Sequence, residues 1–152
     1  MSSLKDRLRT DLTSAMKARD KDRAGTLRMV MASISEAEVA GKEAKELSDD
    51  EIITILTREA KKRREAATAF AEGGRTEQAE KETAEAAVIT EYLPAQLSAE
   101  EISDLVSKAI AQTGAAELGM KGMGKVMGVL TPQTKGRADG GAVAAEVRKQ
   151  LG

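Results

Sequence analysis

The chain has 152 residues, a length that allows one domain or two small ones. It contains no Cys and no His, which excludes disulfide frameworks and thiolate nucleophiles and removes the commonest general base and metal ligand. We therefore expect no metal and no cofactor. With one Tyr, one Phe and no Trp, the core must consist of Leu, Ile, Val, Met and Ala, a composition that favours helices over strands.

The net charge of −1 is unevenly distributed. Residues 120–152 carry six Lys or Arg against two Asp or Glu, whereas the first 119 residues carry 18 basic and 23 acidic side chains. A partner bound by electrostatics would therefore contact the C-terminal end.

The longest stretch without a charge is nine residues, 126–134, against about 20 for a membrane span. The first residues, Met1-Ser-Ser-Leu-Lys-Asp-Arg, carry charges where a secretory signal is apolar. We expect a cytoplasmic protein with no membrane partner.

Apolar residues recur at three- and four-residue spacing along most of the first 93 residues, which predicts amphipathic helices. Ser48 and Glu51 form a capping box that opens one of them. Pro94 marks the end of the last of these helices. The predicted helices lie at about 4–16, 27–37, 49–72 and 76–93.

A second capping box, Ser98 with Glu101, opens another helix that ends before Gly114. Two shorter helices follow at about 120–130, closed by Pro132, and at 140–151. Because sustained period-two alternation is absent, we predict an all-α protein with a four-helix and a three-helix unit. The predicted boundaries are 1–93, a linker at 94–97, and 98–152.

The segment from Gly119 to Val126 matches the phosphate-binding pattern G-x-x-x-x-G-K-[ST] except at its last position. Val126 replaces the hydroxyl that would hold magnesium, and the preceding residues 109–116 indicate a helix and its end, not the buried strand that a P-loop requires. We therefore reject a nucleotide-hydrolysing site.

A structural interpretation explains the glycines of this segment. Gly124 and Gly128 are four residues apart, so they share a helix face and would let a neighbouring helix approach closely. Asp139 is placed to cap the last helix, with Gly140 in its first turn. This interpretation leaves the basic residues unexplained, and we expect them to contact RNA phosphates: Lys121, Lys125, Lys135, Arg137, Arg148 and Lys149.

The densest basic run, Arg58 to Arg64, is interpreted as a solvated helix face. Its charge would be partly neutralised by acidic residues a turn away, such as Glu59 beside Arg63. The charged residues between Glu77 and Glu85 are interpreted in the same way, as the outer face of a helix.

Several blocks together resemble one family. They are Leu27-Arg-Met-Val, Lys61-Lys-Arg-Arg-Glu-Ala with Phe70-Ala-Glu-Gly-Gly-Arg75, Ala79-Glu-Lys-Glu82, Tyr92-Leu-Pro-Ala-Gln-Leu-Ser98, and Met123-Gly-Lys-Val-Met-Gly128 with Lys135-Gly-Arg-Ala-Asp-Gly140. Their order and spacing resemble the YqeY proteins, relatives of the C-terminal part of GatB, the B subunit of the glutamine-dependent tRNA amidotransferase.

The resemblance implies an N-terminal helical bundle and a small C-terminal helical domain. The equivalent tail of the amidotransferase, a carbon–nitrogen ligase, helps to hold transfer RNA, and this chain resembles that tail without the catalytic domain. We therefore expect no activity of the chain alone and two alternative roles. One is an accessory module that binds transfer RNA or its associated machinery. The other is an adaptor that docks on a partner protein through its C-terminal domain.

Overall fold

The computed structural model describes residues 3–152, and every regular element in that range is helical. The all-α prediction is confirmed. A helix long and apolar enough to cross a bilayer does not occur in this range. Met1 and Ser2, which begin the segment compared with a secretory signal, lie outside it. The elements are α1 (Ser3–Lys17), α2 (Lys21–Val39), α3 (Asp49–Glu72), α4 (Thr76–Thr90), α5 (Ala99–Thr113), 3₁₀ turns at Ala115–Glu117 and Gly119–Gly122, α6 (Met123–Thr134) and α7 (Gly140–Leu151).

The chain divides into two compact units, the first ending at Leu93 and the second beginning at Pro94. Helices α1 to α4 belong to the first unit and the remaining elements to the second. Each unit has an aliphatic core of its own, as the composition requires. The first core includes Leu8, Leu27, Val30, Ile34, Ile52, Leu56 and Ile89. The second includes Val106, Ala109, Ala115, Val126, Leu130, Val143 and Val147.

Both predicted capping boxes are confirmed. The backbone N–H of Glu51 donates to Oγ of Ser48 at 3.2 Å, and that of Glu101 donates to Oγ of Ser98 at 3.1 Å. The backbone and side chain of Ser98 hydrogen-bond the Glu101 carboxylate and hold its pKa below the usual range. Past the end of α5, Gly114 adopts a φ of 67°, a conformation that favours glycine.

The fourth helix ends at Thr90, three residues before the predicted end, because Tyr92 turns into the first core. Tyr92 is 5% exposed, and its hydroxyl donates to the carboxylate of Asp11. The guanidinium of Arg7 lies 4.6 Å from the ring centroid, a cation–π contact. The Tyr92 ring therefore ties the end of the first unit to α1.

A buried ion group joins α3 to α4. The basic run predicted as a solvated face is exposed at Arg58, Lys61, Lys62 and Arg64, but Arg63 is only 8% exposed, so the prediction is wrong for Arg63. The predicted pairing of Arg63 with Glu59 is confirmed, and Nε of Arg63 also lies 3.3 Å from Glu85. Within residues 3–152 this Nε has no hydrogen-bond partner. Burial opposes ionisation of Glu59, but hydrogen bonds from Arg63 and Ser33 outweigh it and lower the pKa of Glu59. Glu85 is half-buried beside Arg63, so it too departs from the expected outer face.

The titration of Tyr92 tests its burial directly, because the chain has a single Tyr and no Trp. Burial and the hydrogen bond to Asp11 raise the pKa of Tyr92 from 10.0 to about 12. We expect tyrosinate absorbance to rise with a midpoint near the higher value. The folded state prefers the protonated form, so this stabilisation is complete below the ordinary pKa and is lost as the pH rises through the folded one.

Replacing Asp11 with Asn removes the charge that disfavours ionisation of Tyr92, so the midpoint should move toward 10.0. A wild-type midpoint at the ordinary value would show that the ring is not held as described.

Candidate nucleic-acid interface

The glycines of α6 do not serve helix packing. Gly124 and Gly128 are exposed, and a Cβ built on either meets nothing within 4 Å. The prediction that they bring a neighbouring helix close is therefore wrong. The buried side of α6 is instead formed by Val126 and Leu130, with Met123 and Met127 partly buried beside them.

The close approach in this region is made by Gly122. A Cβ at this position would lie 2.7 Å from Cβ of Ala115 and 3.1 Å from its carbonyl oxygen. Ala115 is fully buried. The two 3₁₀ turns between α5 and α6 can therefore pack against each other only because residue 122 has no side chain.

Helix α6 was predicted to stop at about Leu130, but it runs through Pro132 and ends at Thr134. Proline lacks the N–H that would bond to the carbonyl four residues earlier, here that of Gly128. Gly128 is exposed, so water can solvate this carbonyl, and the helix continues for two more residues. The outer face of α6 thus presents backbone as well as side chains.

The basic residues predicted to gather at one corner lie at two ends of the second unit. Lys125 and Lys135 are separated by ten residues, about 15 Å along a helix axis. Lys121 lies in the second 3₁₀ turn, which packs against α7 where Gly119 approaches the carbonyl of Leu151. The last turn of α7 carries two further cations at this same end. We call this group the basic end: Lys121, Lys125, Arg148 and Lys149.

All four side chains of the basic end are exposed. In the described part of the chain, none of them is held in a salt bridge. Two apolar side chains precede Lys121 closely in sequence and are also exposed, Leu118 by 43% and Met120 by 48%. Sequence reasoning missed this pair, because Met120 is spaced three residues before Met123 and seven before Met127, like a buried residue of the predicted helix.

Asp139 occupies the position that precedes α7, as expected, but its side chain makes no cap hydrogen bond. Its backbone carbonyl instead accepts from the N–H groups of Ala142 and Val143. Gly140 forms the first residue of α7, where a Cβ would meet nothing within 4 Å.

Comparison with known proteins identifies the family of this chain. A family model described as "Yqey-like protein" matches residues 5–151, nearly the whole chain. The chain belongs to the YqeY-like family. "Uncharacterized protein C22F3.15" of Schizosaccharomyces pombe is 34% identical to this YqeY-like chain over 92 residues, which cover 60% of the chain and 72% of the yeast protein.

The segment at 94–97, predicted as a linker, is hydrogen-bonded to the second unit of this YqeY-like protein. The N–H of Leu97 donates to the carbonyl of Arg137 at 2.8 Å, and Nε2 of Gln96 donates to that of Gly136 at 2.8 Å. Nε of Arg137 donates to the carbonyl of Ala95 at 3.1 Å. Pro94 lies just before these anchored residues. Arg137 is half-buried and holds this corner together, so it is unlike the exposed cations of the basic end.

We expect opposite effects from adding a methyl group at Gly122 and at Gly128. Gly122→Ala should destabilise the second unit by about 1–3 kcal/mol, because the added Cβ overpacks against Ala115. Gly128→Ala should stabilise it by about 0.5–1 kcal/mol, because it adds helix propensity in open space. Chemical denaturation of the two variants measures both values. Equal effects would contradict the assigned contact.

Arg137 and Lys125 should also differ. Arg137→Ala should lower the free energy of unfolding by about 1–2 kcal/mol through the lost hydrogen bond to Ala95. Lys125→Ala, on an exposed face, should change it by no more than about 0.5 kcal/mol. Thermal and urea unfolding provide the measurement, and an unchanged Arg137→Ala variant would remove the structural role given to this side chain.

Proposed function

We propose that the chain is a non-catalytic accessory module that binds transfer RNA in the cytoplasm through its basic end. The observation that carries this proposal is the position of Lys121, Lys125, Arg148 and Lys149 at one end of the second unit, all of them exposed. The proposal also draws on the resemblance of the blocks around Tyr92–Ser98 and Met123–Gly128 to the tail of the tRNA amidotransferase B subunit.

The basic end suits phosphates better than bases. Lysine and arginine neutralise phosphates and release counterions, a contribution that does not depend on sequence. Stacking on unpaired bases relies mainly on aromatic side chains. The single Tyr and the single Phe both belong to the first unit, and Tyr92 is buried there. We therefore infer recognition of the backbone and shape of a folded RNA.

An adaptor role is the alternative, and Leu118 and Met120 favour it. Exposed apolar side chains with cations around them are typical of surfaces that bind proteins. Their exposed fractions are 43% and 48%. In this alternative the second unit docks on a partner protein that carries acidic and apolar groups.

Titration of the full chain with transfer RNA at several salt concentrations tests the RNA-binding role. If all four cations contact phosphates, affinity should fall on the order of 100-fold between 50 and 200 mM salt. Lys121→Ala with Lys125→Ala should weaken binding and make the slope of log affinity against log salt shallower by about one unit per lost contact. Arg148→Ala with Lys149→Ala should do the same.

The matched control is Lys61→Ala with Lys62→Ala, a basic pair from α3 in the first unit. It should leave both affinity and slope unchanged. Equal losses in the control, or undetectable binding at low salt, would contradict the proposal. Capture of partners from lysate with and without RNase then separates the alternatives, because only protein partners survive digestion of RNA.

A further inference from the structure

The first unit carries an open groove of about 870 Å³ between α2 and α4. We call it the α2–α4 groove. Its apolar lining includes Gly25 and Met29 from α2 and Ala84 and Val88 from α4. Met29 is 41% exposed, and its sulfur lies 3.7 Å from the buried guanidinium of Arg63. A groove with an exposed methionine on its wall can adapt to an apolar side chain inserted from outside.

Small side chains create this groove. A Cβ built on Gly25 meets nothing within 4 Å, so the space above it is open. Ala84 faces the same space from α4 with only a methyl group. The volume available greatly exceeds what one apolar side chain needs, and it is not used by either core.

The charges around the groove are predominantly acidic. Five carboxylates line it, against three cationic side chains. One of the five, Glu85, is already paired with Arg63 at 3.3 Å, outside the lining. Arg23, one of the three cations, is already paired with Glu91 at 2.7 Å, outside the lining. Acidic side chains that include Asp22, Glu77 and Glu80 remain around the apolar floor. Such a surface repels RNA phosphates and attracts a cationic, partly apolar segment.

The chain itself contains a segment with this complementary chemistry. Leu118 and Met120 are exposed, and they lie beside Lys121 at the basic end. We propose that the α2–α4 groove receives the basic end of a second copy of the chain, with Met120 entering beside Met29 and Lys121 facing the carboxylates. The contact joins two different surfaces, so each copy offers one groove and one basic end.

Sedimentation of the full chain without RNA tests the proposal and is independent of the RNA-binding role. An interface confined to this groove and the residues around Met120 is small and therefore weak. The average molecular mass should rise only at protein concentrations of roughly 10–500 µM. Added salt should oppose association, because the charges involved are exposed. Gly25→Leu adds a side chain at the groove, where its Cβ meets nothing within 4 Å, and should weaken association at least tenfold. Met120→Glu should do the same from the other surface.

Two matched controls use residues of the same type placed elsewhere. Gly140, at the start of α7 and away from the basic end, also faces open space, and Val39 is 66% exposed. Gly140→Leu and Val39→Glu should associate as the wild type does. Glu80→Lys reverses a charge at the groove without altering its apolar floor and should also weaken association. It replaces Gly25→Leu as the groove variant if Gly25→Leu does not fold.

Mixing the two impaired variants gives the decisive result. Gly25→Leu keeps its basic end and Met120→Glu keeps its groove, so the mixture should form a 1:1 pair although each variant alone is monomeric. A wild-type chain that stays monomeric throughout the range, or a mixture that does not pair, would overturn the proposal. Association that responds to Val39→Glu but not to Gly25→Leu would also overturn it.

Discussion

The contact between Gly122 and Ala115 is the constraint on which the functional end of the second unit depends. Aromatic residues make up 1% of the chain, so aliphatic side chains fill both cores, and the two turns before α6 are joined by the close approach of two small residues. Ala115 is fully buried against the turn that contains Gly122. This contact sets where α6 starts, and Lys121 and Lys125 flank that start.

The sequence was sufficient for the helices and for several of their ends. Ser48 and Ser98 each place a hydroxyl three residues before a Glu, a local signal that does not depend on the rest of the fold. The inward turn at Tyr92 was not predictable in this way, because its acceptor, Asp11, lies 81 residues away. Long-range partners of this kind leave no trace in local periodicity.

Glycines and charged runs were harder to interpret for a different reason. A glycine has no side chain to show which face of a helix it occupies, so Gly124 and Gly128 were assigned to the inside although Gly122 makes the close contact. In the run from Arg58 to Arg64, composition alone could not identify the one cation that turns inward. Glu59, four residues before Arg63, was the available signal.

The two proposed roles of the basic end exclude each other, because an RNA phosphate and the acidic groove of a second copy would compete for Lys121. The chain has no His, so it lacks the side chain that ordinarily titrates between about pH 5 and 8. The balance between RNA and a second copy would therefore respond to ionic strength and concentration far more than to physiological changes in pH.

The hydrogen bonds at 95–97 have a consequence for the order in which the protein can form during synthesis. All residues of the first core have emerged from the ribosome once Tyr92 and Leu93 have emerged. The N–H of Leu97 must wait for the carbonyl of Arg137, forty residues later. Domains generally fold as units, the N-terminal one first, during translation. The first unit can thus be folded while the first residues of the second unit are still unfolded.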